Sequence, residues 1–206
     1  AVELTDGTES LLLGSRYGKA IRFSEENIRP MGRSARGVHA MRLREQDELI
    51  DMSVVGEDTK VLTITENGYG KLTDPEAYRE QGRNGMGIKA MQLSDKTGLM
   101  VAQLTVNEEE DILLMTDDGT IIRMAAADIR ETGRNAQGVR LMRIAEGAKI
   151  VAVTRAEQEQ EEDAEDDALE EAVEHLTESD TDVIGESKAT AFDAEENEEP
   201  AKKEED

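Results

Sequence analysis

The sequence predicts an all-β chain made of three copies of one unit, followed by an acidic tail, and three observations carry that prediction. The first is a box, Gly32-Arg33-Ser34-Ala35-Arg36-Gly37-Val38-His39-Ala40-Met41-Arg42-Leu43, that returns as Gly82 to Leu93 and as Gly133 to Ile144. Successive first glycines are 50 and 51 residues apart, and a fixed period of that size marks stacked or radially arranged copies of one supersecondary unit. The second is the equivalent placement of Gly18, Gly68 and Gly119, preceded by Arg16-Tyr17, Asn67 and Asp117-Asp118. Asn-Gly and Asp-Gly between apolar runs signal a type I′ hairpin, whose two central residues need positive φ. The third is the run length: Leu11 to Leu13, Val61 to Ile64 and Ile112 to Met115 precede the turns, and Ala20 to Phe23 and Ile121 to Met124 follow two of them. Such β-rich runs are too short for helices.

Each unit then continues in the same order. A connecting piece ends in a register-matched arginine, Arg29, Arg79 or Arg130. The second half of each box, Val38–Leu43, Ile88–Leu93 and Val139–Ile144, alternates apolar positions and predicts a half-buried strand. A last strand is expected in Leu49–Val55, Leu99–Val106 and Ile150–Thr154. About four short strands in about fifty residues is what a propeller blade requires. Unit boundaries are drawn at about 1–48, 49–98 and 99–155. Four aromatics among residues 1–155 are few, so the core must be Leu, Ile, Val, Ala and Met. Seven of the nine Met residues fall at apolar strand positions and are read as gap-filling core, with a Met-lined surface as the alternative. Ala1 to Thr8 reads as the middle of a repeat and the chain does not start with Met, so a piece of a longer polypeptide is expected. Three units predict an open arc with exposed strand edges at its ends, and the first may lack its opening strand.

The net charge of −24 is unevenly placed. Residues 1–155 carry 21 basic against 25 acidic side chains, and residues 156–206 carry 3 against 23. Like-charge blocks poor in aromatics stay disordered, so 156–206 is expected to be a mostly disordered tail, with at most a marginal helix over Glu157–Leu176. Two readings of it stay open: a solubilising end, or a tethered mimic of nucleic acid competing for cations. Cysteine is absent, which excludes disulfides and thiolate metal sites. No apolar run reaches the length of about 18 residues that spans a bilayer, and no signal pattern opens the chain, so a soluble, cytoplasmic protein is expected.

Within the boxes, the glycine pairs Gly32/Gly37, Gly82/Gly87 and Gly133/Gly138 fit backbone that needs positive φ or close approach. The cations repeat with them: Arg33, Arg36, His39 and Arg42, then Arg83 and Lys89, then Arg134, Arg140 and Arg143. Cations on equivalent faces of consecutive units make a track suited to duplex phosphate, with local ion pairing as the plainer alternative. Lys19, Arg22, Lys71 and Arg123 on the hairpins are weaker candidates.

The boxes, their period, the hairpin turns and the acidic end resemble the C-terminal domain of the bacterial DNA gyrase A protein over residues 1–155. The resemblance implies a β-pinwheel, a propeller-like ring of four-stranded blades that bends and wraps double-stranded DNA around a basic rim. By position it would place the box cations against phosphate. It also implies a complete enzyme of two gyrase A and two gyrase B chains (A2B2), using ATP and magnesium outside this chain and placed at the bacterial nucleoid. Two departures stand: the family has about six repeats against three here, and its Gln-Arg-Arg-Gly-Gly-(Lys/Arg)-Gly box is missing. The C-terminal domain of topoisomerase IV is therefore an alternative, as is a propeller-like protein-interaction module. No catalytic site is expected in this chain. Only His39 and His175 exist, too few and too far apart for a metal pair or triad. Gly70-Lys71 lacks the earlier glycine of a phosphate loop, and Tyr17, Tyr69 and Tyr78 sit in repeat positions without the context of a strand-cleaving nucleophile.

Overall fold

The computed structural model describes residues 1–158. The acidic tail beyond them, with both of its readings and the helix considered there, lies outside the described residues. The strands are β1 (Ser10–Ser15), β2 (Lys19–Ser24), β3 (Leu49–Val55), β4 (Lys60–Thr65), β5 (Tyr69–Thr73), β6 (Ile88–Lys89), β7 (Met100–Val106), β8 (Glu110–Thr116), β9 (Ile121–Ala125), β10 (Val139–Arg140) and β11 (Ile150–Glu157). They form antiparallel sheets in the orders β3-β1-β2-β6, β10-β5-β4-β7 and β11-β8-β9. Among the described residues there is no α-helix.

The fourth strand of each complete sheet comes from the box of the following unit: Ile88 pairs with Ala20 and Lys89 with Lys19, as Val139 pairs with Gly70 and Arg140 with Tyr69. Leu49–Val55 belongs to the first sheet and Met100–Val106 to the second, so the sheets run across the boundaries drawn at 48 and 98. The box strands are two residues long rather than six, and the first box contributes only an isolated bridge from Met41 to Gly85. The cause is the turn: β2 and β5 begin one residue before the paired alanine or glycine, so the edge runs out after two positions. Beyond it the chain bonds elsewhere, Ala90 N–H donating to Gly18 O at 2.9 Å and Leu141 N–H to Gly68 O at 2.8 Å.

The hairpins turn at the expected glycines but by another turn. Gly18, Gly68 and Gly119 donate to the carbonyl oxygens of Ser15, Thr65 and Thr116 at 3.0–3.1 Å and have φ of 79°, 80° and 86°. Neither Asn67 nor Asp118 has positive φ. The loops have three residues and end in a left-handed glycine, which sets the strand twist with one unusual residue where type I′ needs two. After each hairpin the connecting piece makes a single 3-10 turn, at Glu25–Asn27, Pro75–Ala77 and Ala126–Asp128. Ser24 Oγ and Asp74 Oδ1 cap the first two, accepting from Glu26 N–H at 3.2 Å and Glu76 N–H at 2.8 Å.

β3 packs on β7 and β7 on β11, tied by Thr105 Oγ1 donating to Val54 O at 2.9 Å and Arg155 Nη1 donating to Thr105 O at 3.2 Å. These are the inner strands, and the box strands β6 and β10 occupy the opposite, outer edge of their sheets. Leucine, isoleucine and valine fill the interior with Tyr78 and Phe23. The methionines divide: Met91, Met100 and Met142 are buried, whereas Met31, Met86 and Met115 are exposed, because the short box strands and the open third sheet leave faces uncovered.

Only the second glycine of a box meets the preceding sheet. At Gly87 and Gly138, with φ of +66° and +78°, a Cβ would lie 2.5 Å from the carbonyl oxygens of Ala20 and Gly70. Gly32, Gly82 and Gly133 have open space and no positive φ, which corrects the expectation that both glycines answer one need. Gly138→Ala should therefore destabilise the fold by about 3 kcal/mol, while Gly133→Ala should stay within about 0.5 kcal/mol of the parent. Urea unfolding of both variants checks this.

Candidate nucleic-acid interface

The boxes follow one another along the outer rim. Arg42 N–H donates to Gly85 O at 2.8 Å, Asn84 N–H to Ala40 O at 2.7 Å, and Gln92 N–H to Ala136 O at 3.2 Å. The box arginines fasten this chain of loops. Arg83 donates through Nε to Asn27 O at 2.9 Å and through Nη1 to His39 O at 3.2 Å. Arg134 does the same one unit on, from Nε to Ala77 O at 2.9 Å and from Nη1 to Lys89 O. Each guanidinium thus bridges the 3-10 turn and the box of the unit before it, while staying half-buried. Arg33, the equivalent residue in the first unit, is exposed and makes no such bond among the described residues.

The other box cations project from this rim. Lys19 and Lys89 stand directly opposite each other across the β2–β6 pair, an arrangement that like charges disfavour. Neither forms an ion pair with a carboxylate among the described residues; Lys89 Nζ donates only to Gln92 Oε1 at 2.7 Å. One unit on, Tyr69 takes the place of Lys19. Its phenol oxygen accepts from Arg140 Nη2 at 2.9 Å and Nε at 3.2 Å, which holds Tyr69 below the ordinary tyrosine range. The Arg140 guanidinium and the Lys96 ammonium each lie 5.4 Å from the centre of that ring. Arg140, Lys96 and Arg143 surround an open depression of about 410 Å³ floored by Tyr69 and Met142. The side chains of Arg36, His39, Arg42 and Arg143 are exposed and without a hydrogen-bond or ion-pair partner among the described residues.

Sequence reasoning did not assign Lys96 or the register-matched Arg29, Arg79 and Arg130 to this surface. All four are exposed, and the signal was present in the three arginines' equivalent positions. By contrast, three of the four hairpin cations have partners within the protein. Arg22 reaches Glu76 at 2.9 Å, Ser10 Oγ at 2.9 Å and Pro75 O at 3.0 Å. Arg123 binds Asp111 Oδ2 at 2.6 Å and Glu157 O at 2.6 Å. Lys71 is fully buried, and its ammonium donates to Gly133 O at 2.9 Å and Arg134 O at 2.7 Å. It is a structural link to the third box, unavailable to a ligand.

Burial, helped by the nearby Arg134 charge, pushes Lys71 down to about 8 from 10.5. The unfolded chain keeps that proton up to about 10.5 and the folded one only to about 8, so between these limits the unfolded state binds more protons. This group's contribution to stability therefore rises with pH from about 8 to about 10.5. Lys71→Ile, which installs the residue found at the equivalent Ile21 and Ile122, should flatten that part of the stability–pH curve relative to the parent. Unfolding measured from pH 7.5 to 10.5 checks it, and parallel curves would contradict it.

Opposite in charge to the rim, a cleft of about 880 Å³ beside the Gly56–Thr59 and Asn107–Glu109 connections is lined by Glu57, Asp58, Asp74, Glu76, Glu108 and Glu109. Lys60 partly offsets these through Asp74 at 3.5 Å and Glu131 at 3.2 Å. Among the described residues no group of three or more His, Asp or Glu side chains is placed to hold a metal ion, and no helix is long and apolar enough to cross a membrane.

Comparison with known proteins agrees with the three-unit arrangement. The DNA gyrase A proteins of Staphylococcus epidermidis and of Staphylococcus aureus are each 42% identical to this chain over 163 residues, 78% of it. The chain spans 18% of the length of these curated relatives. The solved structure of a DNA gyrase A C-terminal domain superposes with a TM-score of 0.68 at 28% identity, covering 73% of this chain and 52% of that one. The C-terminal domain of DNA topoisomerase IV shares the fold, with a TM-score of 0.73 at 24% identity over 85% of this chain and 54% of that one. A family model for the DNA gyrase C-terminal domain, beta-propeller, matches residues 9–56, 59–106 and 110–157, one match for each hairpin with its inner strand. With its three sheets linked by rim boxes, the chain belongs to the DNA gyrase A C-terminal domain family.

Proposed function

We propose that this chain binds double-stranded DNA along its outer rim and wraps it, as the C-terminal region of a gyrase A protein in an ATP-dependent supercoiling enzyme. The observation that carries this reading is the Lys19–Lys89 opposition, with Lys96, Arg140 and Arg143 one unit further on the same rim. Uncompensated like charges on equivalent places of consecutive units are relieved by a polyanion whose charges recur along a path. The 42% identity to gyrase A proteins favours gyrase over topoisomerase IV. The remaining parts of the reading concern the whole enzyme: a second gyrase A chain with two gyrase B chains as A2B2, ATP and magnesium held outside this chain, and a cytoplasmic, nucleoid-associated place. We assign these to the complete protein.

Binding to a labelled duplex across a salt series tests the proposal. Log K should fall linearly with log salt with a slope near −0.9 for each phosphate neutralised, and unrelated sequences should bind alike because phosphate contacts position without specifying. Wrapping should bring the ends of a labelled duplex together in energy-transfer measurements. Affinity indifferent to salt would replace this reading with a protein-interaction module.

A further inference from the structure

We propose that Arg29, Arg79 and Arg130 form a second file of cations on the rim, holding one strand of the duplex while the box cations hold the other. The inference rests on the DNA reading above and adds to it which strand each file meets. Arginine recurs in all three units at two positions only, 33/83/134 and 29/79/130. The fold accounts for the first, since Arg83 and Arg134 are engaged by main-chain carbonyls of the preceding unit. It does not account for the second. The side chains of Arg29, Arg79 and Arg130 are exposed and have no hydrogen-bond or ion-pair partner among the described residues. The residue before each is held inside: Ile28 is half-buried, and Tyr78 and Ile129 are buried. Three arginines repeated in register on an anchored turn, with nothing inside the protein to bind, call for an anion outside it.

The main chain sets this second file beside the first. Along the outer edge of β2, Lys19 and Ala20 take the box strand β6. Further along, Arg22 takes the connecting piece, bridging to Glu80 and accepting from Gln81 N–H at 2.8 Å. One unit on, Tyr69 and Gly70 take β10, and Leu72 N–H donates to Arg130 O at 3.2 Å while Leu72 O accepts from Thr132 N–H at 2.9 Å. Arg79 and Arg130 are therefore rooted three strand residues, about 10 Å, from the box cations on the same edge. The strands of a duplex face each other across grooves about 6 and 12 Å wide, so this separation lets each file meet its own strand. Beyond the second file the charge reverses. Glu25 and Glu26 follow β2, and Asp74 and Glu76 follow β5, the latter pair lining the acidic cleft. Phosphate is repelled there, which makes the arginine file the far border of the track.

Arg29→Gln, Arg79→Gln and Arg130→Gln together, in the 206-residue chain, should leave the melting temperature unchanged, because none has a partner to lose. Duplex affinity at about 0.1 M salt should fall about 30-fold or more, and the slope of log K against log salt should flatten by up to about 2.7, three contacts at about 0.9 each. A duplex with neutral methylphosphonate linkages throughout one strand separates the files. On it the triple variant should bind as the parent does, since the box cations keep the charged strand and the second file has no charge left to meet. A parent with a steep salt slope on ordinary duplex, matched by the triple variant, would overturn this proposal alone. So would an equal loss on the ordinary and the half-neutral duplex, which puts both files on one strand. A parent indifferent to salt would overturn the DNA reading itself, and this inference with it.

Discussion

Changing Lys19, Lys89, Arg140 and Arg143 together to Gln should lower duplex affinity about 100-fold or more at about 0.1 M salt. The slope of log K against log salt should flatten by up to about 3.6, the share of four lost phosphate contacts at about 0.9 each. The arithmetic rests on placement. Lys19 and Lys89 face one another with no carboxylate between them, and Arg140 and Arg143 border one depression with Lys96. The loss should be the same on unrelated sequences. Removing the Lys19–Lys89 repulsion should leave the fold at least as stable there, against a small cost for the Arg140–Tyr69 bonds, so the melting temperature should move little. Unchanged affinity would mean that DNA follows another path over the surface.

Arg83→Ala with Arg134→Ala should give a different signature. Each side chain makes two hydrogen bonds to main-chain carbonyls of the preceding unit. Charge-assisted bonds contribute roughly 1.5–3 kcal/mol when buried, and partial exposure reduces that, so a loss of about 1–2 kcal/mol per residue is expected. The double variant should unfold well below the parent in temperature. Its DNA binding should weaken through misplaced boxes while the salt slope changes by less than that of the four-residue variant. A flattened slope with an unchanged melting temperature would show instead that these two arginines are phosphate contacts and that their carbonyl bonds are incidental.

That contrast also measures how far the sequence was legible. Repetition disclosed the hairpins, the inner strands and the boxes, because each recurs with its turn glycine and apolar pattern. It could not separate the two uses of arginine. Arg83 recurs because a carbonyl recurs beneath it, and Lys89 and Arg140 recur on the open side; both look alike as letters in register. Lys71 was the informative exception, since its counterparts are Ile21 and Ile122, and a lysine at an isoleucine position marks an interior site. The turn class was misjudged because Asn-Gly and Asp-Gly serve two-residue and three-residue loops alike, and only the register across Ser15 and Lys19 distinguishes them. The partner of each box strand was hidden for a related reason: pairing in neighbouring units leaves no local mark in the letters.

The borrowed fourth strand bears on how such a protein is made. Ala20 waits for Ile88, about seventy residues later, before its sheet is whole, and Gly70 waits equally long for Val139. Contacts of that sequence separation form slowly. A nascent chain leaving the ribosome therefore always carries one unfinished sheet, completed only when the next unit emerges. Assembly proceeds like lacing, each eyelet closed by the following stitch, and a break in translation strands a bare edge where it stops. Cutting the gene at the repeat boundaries would part the first two sheets from their last strands, whereas cuts placed after a box would keep the preceding sheet intact.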